Sequence, residues 1–290
     1  MKIGMVGLGR MGANMAERLR RHGHEVVGYD RDPSSRDVDS LEALVDGLAG
    51  QERRVAWSMV PAGEPTRETL AALAELLSPG DLVVDGGNSN FRDSQRNAAA
   101  LAEHDVAFVD AGVSGGVWGL EEGYCIMAGG AVGDIAHLQP AFDALVTDHG
   151  FAHVGPVGSG HFTKMVHNGV EYGLMQAYAE GYELLQATDL DIDVAATVEV
   201  WRHGSVVRSW LLDLLAEAVV EDPSLESVVG WVEDSGEGRW TVQEAVDLAV
   251  PAPAITAALF ARFASRQEDS PTMRALAMLR KRFGGHATRS

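Results

Sequence analysis

Cysteine, lysine and long apolar runs are scarce in this 290-residue chain, and each scarcity excludes something. Cys125 is the sole cysteine, so an intrachain disulfide is impossible and a cysteine-based metal set has no basis. Its plain reading is a small buried thiol. Lysine occurs only at Lys2, Lys164 and Lys281; every other cation is arginine. No apolar run approaches the ~18 residues that span a bilayer. Lys2 leads straight into a strand that ends in glycines, which is no secretory leader. The expectation is a soluble cytoplasmic protein without a membrane partner. The formal net charge is -19, a field that repels nucleic acid and anionic lipid. An anionic substrate must therefore be captured by local Arg and His. Few lysines among many carboxylates also suit a salt-rich cytoplasm.

What is present suits two domains. Residues 2–7 read as a buried strand, 11–22 as an Arg-rich amphipathic helix, and 25–30 as a second strand ending in an acid. Further strand signals fall at 55–59, 82–85 and 107–110, separated by helical patterns such as 68–77 and 94–103. Strands alternating with helices make βαβ units and a mostly parallel sheet. A hairpin-like pair is expected around Tyr124–Ala128, with Gly129-Gly130 as its turn. After the glycine-rich 155–160 segment the character changes. Residues 162–187 read as one long helix, and the chain stays helical in spacing to about Leu279, before a loose tail from Phe283. The predicted architecture is an α/β domain over 1–157 with a doubly wound sheet, then an all-α domain over 158–290.

Gly7-Leu8-Gly9-Arg10-Met11-Gly12 lies between the first strand and the first helix. The first glycine permits the tight turn, the second lets backbone approach a pyrophosphate, and the third lets helix pack on strand. The helix N-terminus offers free N–H groups to the anion. Asp30 stands about twenty residues on, where a carboxylate hydrogen-bonds the ribose hydroxyls of NAD. The sequence thus predicts a Rossmann-type unit for a nicotinamide dinucleotide. Asp30 disfavours the 2′-phosphate of NADP and so favours NAD. Arg31 can instead attract that phosphate or stack on the adenine.

Lys164, His167, Asn168, Glu171 and Tyr172 fall at i, i+3, i+4, i+7 and i+8, one face of a helix. Met165, Val166, Val170 and Leu174 face elsewhere. A stripe with His, Asn and Tyr is not the Glu/Lys/Arg mixture of an ordinary solvated face. Arginine cannot give up its proton, whereas a buried lysine can act as a base near neutral pH. Gly112-Val113-Ser114-Gly115-Gly116 follows a strand and can aim N–H and O–H donors at a carboxylate, though it reads equally as a plain loop.

Together with Asp85-Gly86-Gly87-Asn88-Ser89, the segment 158–173, the Val-Val-Arg-Ser around Arg208 and the tail 280–286, these motifs resemble the decarboxylating 6-phosphogluconate dehydrogenases over nearly the whole chain. The chain resembles the short form, with one helical repeat where the long form has two. The resemblance implies that Lys164 takes the C3 hydroxyl proton as hydride leaves for the nicotinamide. It implies a β-keto acid that loses CO2, with Lys164 donating to its carbonyl and Glu171 protonating C1 of the enediol to give ribulose 5-phosphate, a step of the pentose phosphate pathway. No metal is implied, because the ketone is the electron sink. Ser114, Gly115, Gly116, His167 and Asn168 would hold the carboxylate end, and Asn88 would touch both cofactor and sugar. Val60, Pro61 and Ala62 would flank the nicotinamide. Tyr172 and Arg208 would bind the phosphate. Arg280 and His286 from a partner subunit would complete the site, which implies a homo-oligomer, dimer or tetramer. The long form carries a phosphate-binding lysine just before its Gly-x-Gly-Lys-Trp-Thr segment. Residues 235–241 here (Ser-Gly-Glu-Gly-Arg-Trp-Thr) lack it, with Arg239 the nearest substitute. The alternatives are a 3-hydroxyisobutyrate-type dehydrogenase, which would not need Glu171-Tyr172, Arg208 or the tail, and a non-catalytic NAD-binding sensor, which would not need Lys164 and Glu171.

Overall fold

The computed structural model describes residues 1–284 and Ala287. The chain divides into two compact units, Met1–Val166 and His167–Ser290.

The first unit is built on a seven-stranded sheet of order β2-β1-β3-β4-β5-β6-β7. The strands are β1 (Lys2–Val6), β2 (Glu25–Tyr29), β3 (Val55–Ser58), β4 (Leu82–Asp85), β5 (Ala107–Ser114), β6 (Tyr124–Gly129) and β7 (Val146–Gly155). All neighbours pair parallel except β5 and β6, so the last two strands run against the rest. Side chains that alternate along each strand fill two cores. Ile3, Met5, Val55, Trp57, Leu82 and Val84 face one side, under α1 (Arg10–Arg21) and α6 (Val132–Leu145). Val6, Ala56, Val83 and Phe108 face the other, under α2 (Leu41–Gly47), α3 (Glu64–Leu76) and α4 (Phe91–Ala102). Ser40 and Asn90 cap α2 and α4 by accepting the backbone N–H of Ala43 and Arg92. A single 3-10 turn (Gly116–Trp118) and the short α5 (Gly119–Glu122) join β5 to β6.

Two expectations are corrected. Gly129-Gly130 is not a hairpin turn. The antiparallel partner of β6 is β5, reached through residues 115–123, and Gly130 leads towards α6. The glycines there answer to packing: a Cβ on Gly129 would stand 2.6 Å from both Asp110 Oδ1 and the Pro156 carbonyl, and one on Gly130 would stand 2.8 Å from Val109 Cγ2. Cys125 is exposed rather than buried. Strand alternation sets it on the face opposite Tyr124 and Ile126, opposite Ser114 in register, and that face is open there. The tail differs too: α12 (Pro271–Gly284) carries helix through Phe283 and Gly284.

The long helix α7 (Ser159–Ala187) begins in the first unit and continues into the second. The second unit adds α8 (Val194–Trp201), α9 (Trp210–Glu221), α10 (Glu237–Asp247), α11 (Pro253–Ala264) and α12. Its cores are small. One gathers Tyr172, Ala258 and Leu259; the other gathers Val198, Leu212 and Ala216. Large apolar side chains stay exposed in this unit, among them Leu174, Trp210, Trp231, Phe260 and Leu279, and every residue of α12 is exposed. Among the described residues no helix is long and apolar enough to cross a membrane.

Candidate active site

Three glycines shape the turn between β1 and α1 in three different ways. Gly7 has φ +92°, and a Cβ there would stand 2.8 Å from the Met59 carbonyl. A Cβ on Gly12 would stand 1.9 Å from the Gly7 carbonyl, so α1 can lie this close to β1 only through a glycine. Gly9, at the N-cap of α1, has nothing within 4 Å of the place its Cβ would take. The helix N-terminus is therefore open above Gly9 and closed beneath Gly7 and Gly12, a cradle that fits a pyrophosphate. Leu8 N–H donates to Asp30 Oδ2 at 2.6 Å, and Asp32 N–H donates to Asp30 Oδ1 at 2.8 Å. The Asp30 carboxylate is thus tied to the turn itself, with lone pairs left for ribose hydroxyls. Arg10 and Arg31 are exposed, and Met11 is half-buried.

The neighbouring strand ends carry the other first-unit candidates. Val60 is half-buried, and Pro61 and Ala62 are exposed. Asn88 is exposed beside a rigid turn in which Asp85 accepts Gly87 N–H and the Ser89 hydroxyl. Ser114 is half-buried at the end of β5, and the chain then turns through Gly115 (φ +133°) and Gly116 (φ +54°), conformations that favour glycine.

Lys164 is half-buried on the second turn of α7, and β5 sets its place. A Cβ on Gly112 would stand 2.4 Å from Lys164 Cβ, so the lysine stem rests on bare strand backbone two residues before Ser114. A Cβ on Gly160 would stand 2.4 Å from the Asp110 carbonyl, which presses the first turn of α7 onto the same strand. Asp110, fully buried, accepts Gly158 N–H at 2.7 Å and His161 N–H at 2.8 Å and so caps α7 from β5. Burial pushes its carboxyl above the usual range, against the opposing effects of His161 and those N–H groups.

In the second unit the rest of the stripe follows along α7. Asn168 and Tyr172 are buried, while Val170 and Leu174 are exposed, the reverse of an ordinary surface helix. His167 Nδ1 lies 2.9 Å from Asn168 Oδ1 and 4.0 Å from Glu171 Oε2. Asn168 Nδ2 donates to Glu237 Oε1 at 2.8 Å. The Tyr172 hydroxyl accepts Ser235 N–H at 3.3 Å, and the Arg262 guanidinium lies 3.4 Å from its ring centroid. Arg208 and Arg280 are exposed; His286 lies outside the described residues.

The sequence alone does not single out Glu237 or Arg262. Arg262 stands in no recognisable spacing and Glu237 is only the variable position of the 235–241 segment; the packing of α10 and α11 on α7 brings them to Asn168 and Tyr172. Arg239 is engaged elsewhere. It holds Asp234 through two hydrogen bonds of 2.6 and 3.0 Å, and Arg266 donates to the same carboxylate. These partners, Arg239 foremost, hold the Asp234 carboxyl well below the usual range.

The family model described as the NAD binding domain of 6-phosphogluconate dehydrogenase matches residues 2–155, and that of the 6-phosphogluconate dehydrogenase C-terminal domain matches residues 160–283. The chain belongs to the 6-phosphogluconate dehydrogenase family. It is similar to the NAD(+)-dependent, decarboxylating 6-phosphogluconate dehydrogenase of Haloferax volcanii, at 44% identity over 99% of this chain and 98% of that protein. Among solved structures it is similar to 6-phosphogluconate dehydrogenase of Plasmodium falciparum, with TM-score 0.83 and 25% identity, covering 98% of this chain and 65% of that one. The likeness to a 3-hydroxyisobutyrate dehydrogenase of Mycobacterium tuberculosis, with TM-score 0.73 and 23% identity over 96% of this chain and 99% of that one, shows a shared fold alone. A member of the 6-phosphogluconate dehydrogenase family is an oxidoreductase with a nicotinamide cofactor, which agrees with the open cradle at Gly9.

Proposed function

We propose that the chain oxidatively decarboxylates 6-phospho-D-gluconate to D-ribulose 5-phosphate and CO2, within the pentose phosphate pathway, with NAD as the preferred oxidant. The observation that carries this reading is the seating of Lys164 on Gly112: a lysine pressed against the strand that ends in the Ser114 loop. A base beside a cluster of backbone donors suits a β-hydroxy acid whose carboxylate needs holding and whose hydroxyl needs a proton acceptor.

Gly7, Leu8, Gly9, Arg10, Met11 and Gly12 would cradle the dinucleotide, with Asp30 and Arg31 at its ribose and Val60, Pro61, Ala62 and Asn88 towards its nicotinamide. When bound, it supplies the hydride acceptor. Ser114, Gly115 and Gly116 hold the substrate carboxylate with their N–H and O–H groups. Lys164 Nζ takes the C3 hydroxyl proton as that carbon is oxidised. The resulting β-keto acid loses CO2, and protonated Lys164 donates to the carbonyl oxygen that receives the electrons. Glu171 then delivers a proton to C1 of the enediol. Tyr172 and Arg208 bind the phosphate; Arg262, stacked on the Tyr172 ring, supports a positive potential there.

The site is completed by Arg280 and His286 of a second copy. The fully exposed α12 and the exposed apolar side chains of the second unit support a homo-oligomer, since large apolar patches mark association surfaces.

The test is turnover of 6-phosphogluconate with NAD and separately with NADP, following reduced cofactor and CO2. Turnover of 3-hydroxyisobutyrate in its place would select the smaller-acid reading.

A further inference from the structure

His167, Asn168 and Glu237 form a directed hydrogen-bond chain within the second unit. Asn168 Nδ2 donates to Glu237 Oε1 at 2.8 Å, and Asn168 Oδ1 lies 2.9 Å from His167 Nδ1. Asn168 and Glu237 are both buried, whereas His167 is exposed. The direction follows from what each group can do. A carboxylate accepts, so the amide NH2 faces Glu237 and the amide oxygen faces the imidazole. An oxygen there requires the proton on Nδ1, which leaves Nε2 of the neutral ring as an acceptor.

Packing fixes Glu237 in this place. Gly236, with φ +102°, turns the chain into α10, and Glu237 is the first residue of that helix, where the N-terminal N–H groups favour a carboxylate. Two glycines bring α10 against α7. A Cβ on Gly238 would stand 2.4 Å from Tyr172 Cε2, and one on Gly169 would stand 2.6 Å from Thr241 Cγ2. Thr241 in turn donates its hydroxyl to the Glu237 carbonyl at 2.8 Å.

We propose that Glu237 is a positioning residue: it orients the Asn168 amide and, through it, holds His167 as the Nδ1–H tautomer, with Nε2 presented to a substrate hydroxyl at the carboxylate end. The proposal rests on the reading of His167 and Asn168 as substrate-binding groups. Glu237 reaches His167 through Asn168. Loss of its carboxyl removes the acceptor that sets which way the amide faces, and with it the preference for the proton on Nδ1.

The tautomer can be read directly by long-range proton–nitrogen NMR of the full-length protein labelled with [15N]histidine, the His167 pattern being assigned by its loss in His167→Asn. The wild type shows the Nδ1–H pattern. In Glu237→Ala the pattern shifts towards Nε2–H or a mixture, and kcat for 6-phosphogluconate falls between ~10- and ~100-fold while KM for NAD is unchanged. Should Glu237→Ala not fold, Glu237→Asp, which withdraws the carboxyl by one methylene, shows the same shift in smaller measure. An Nδ1–H pattern that is unchanged in the folded variants overturns the proposal, as does an Nε2–H ring in an active wild type. A wild type with Nδ1–H that does not turn over 6-phosphogluconate overturns the reading of the reaction, and with it the role of Glu237 in that reaction.

Discussion

Gly112 and Lys164 meet so closely that a single methyl group on the strand would displace the lysine, because its Cβ would lie 2.4 Å from Lys164 Cβ and 2.9 Å from the Gly160 carbonyl. Neither neighbour is the end of a flexible chain. Gly112→Ala is therefore expected to push α7 off β5 at about 1–3 kcal/mol of stability. Its kcat falls by ~10-fold or more, because a base misplaced by an ångström is a poor base. Steady-state kinetics beside a thermal melt check this; a folded variant with wild-type kcat would show that the seating does not matter.

Lys164→Arg keeps the positive charge and most of the stem but cannot release a proton at neutral pH. The variant should fold normally and lose nearly all kcat. Wild-type-like activity would remove Lys164 from the role of base.

How much of this was legible in the sequence depends on how local each signal is. The β1 turn, α1, β2 and Asp30 lie within about thirty residues, and their glycine spacing and periodicity are as the sequence predicts. The long helix bearing Lys164 is equally local. The direction of β6 is not, because pairing with β5 is decided across the sheet, and Gly129-Gly130 carries the same letters whether it turns a hairpin or admits Asp110 and Pro156. The edge strand β7 lacks alternation, since much of it is exposed, and α6 contains Pro140, which reads as a breaker although the helix carries it. Glu237 and Arg262 reach α7 only through the tertiary packing of α10 and α11, so no spacing announces their contacts with Asn168 and Tyr172.

Asp30 should set cofactor choice. With both carboxylate oxygens held by Leu8 and Asp32 N–H groups, it cannot swing away from a 2′-phosphate. The ratio of kcat/KM for NAD over NADP should exceed ~10 in the wild type, since a like-charge contact costs several kcal/mol. It should fall in Asp30→Ser. Equal use of both cofactors by the wild type would show that Arg31 prevails.

Asp234 should give the second unit an acid-sensitive cluster. Its folded pKa is depressed by Arg239 and Arg266, so its stabilising contribution is present above the unfolded carboxylate value of about 3.9 and is lost as pH falls below it. Chemical denaturation between pH 7 and pH 3 should show a smaller loss of stability in Asp234→Asn than in the wild type. Parallel curves would exclude the cluster as a source of acid sensitivity.

Arg280 lies on α12, exposed along its whole length. Truncation before Arg280 should raise KM for 6-phosphogluconate strongly. An unchanged KM would show that the tail does not belong to the site.

The most direct test of the whole account is one assay of the wild-type protein with 6-phosphogluconate and NAD, following reduced cofactor and released CO2 together. The account predicts that both appear in equal amounts. No turnover with NAD or NADP, or cofactor reduction without CO2, would contradict it.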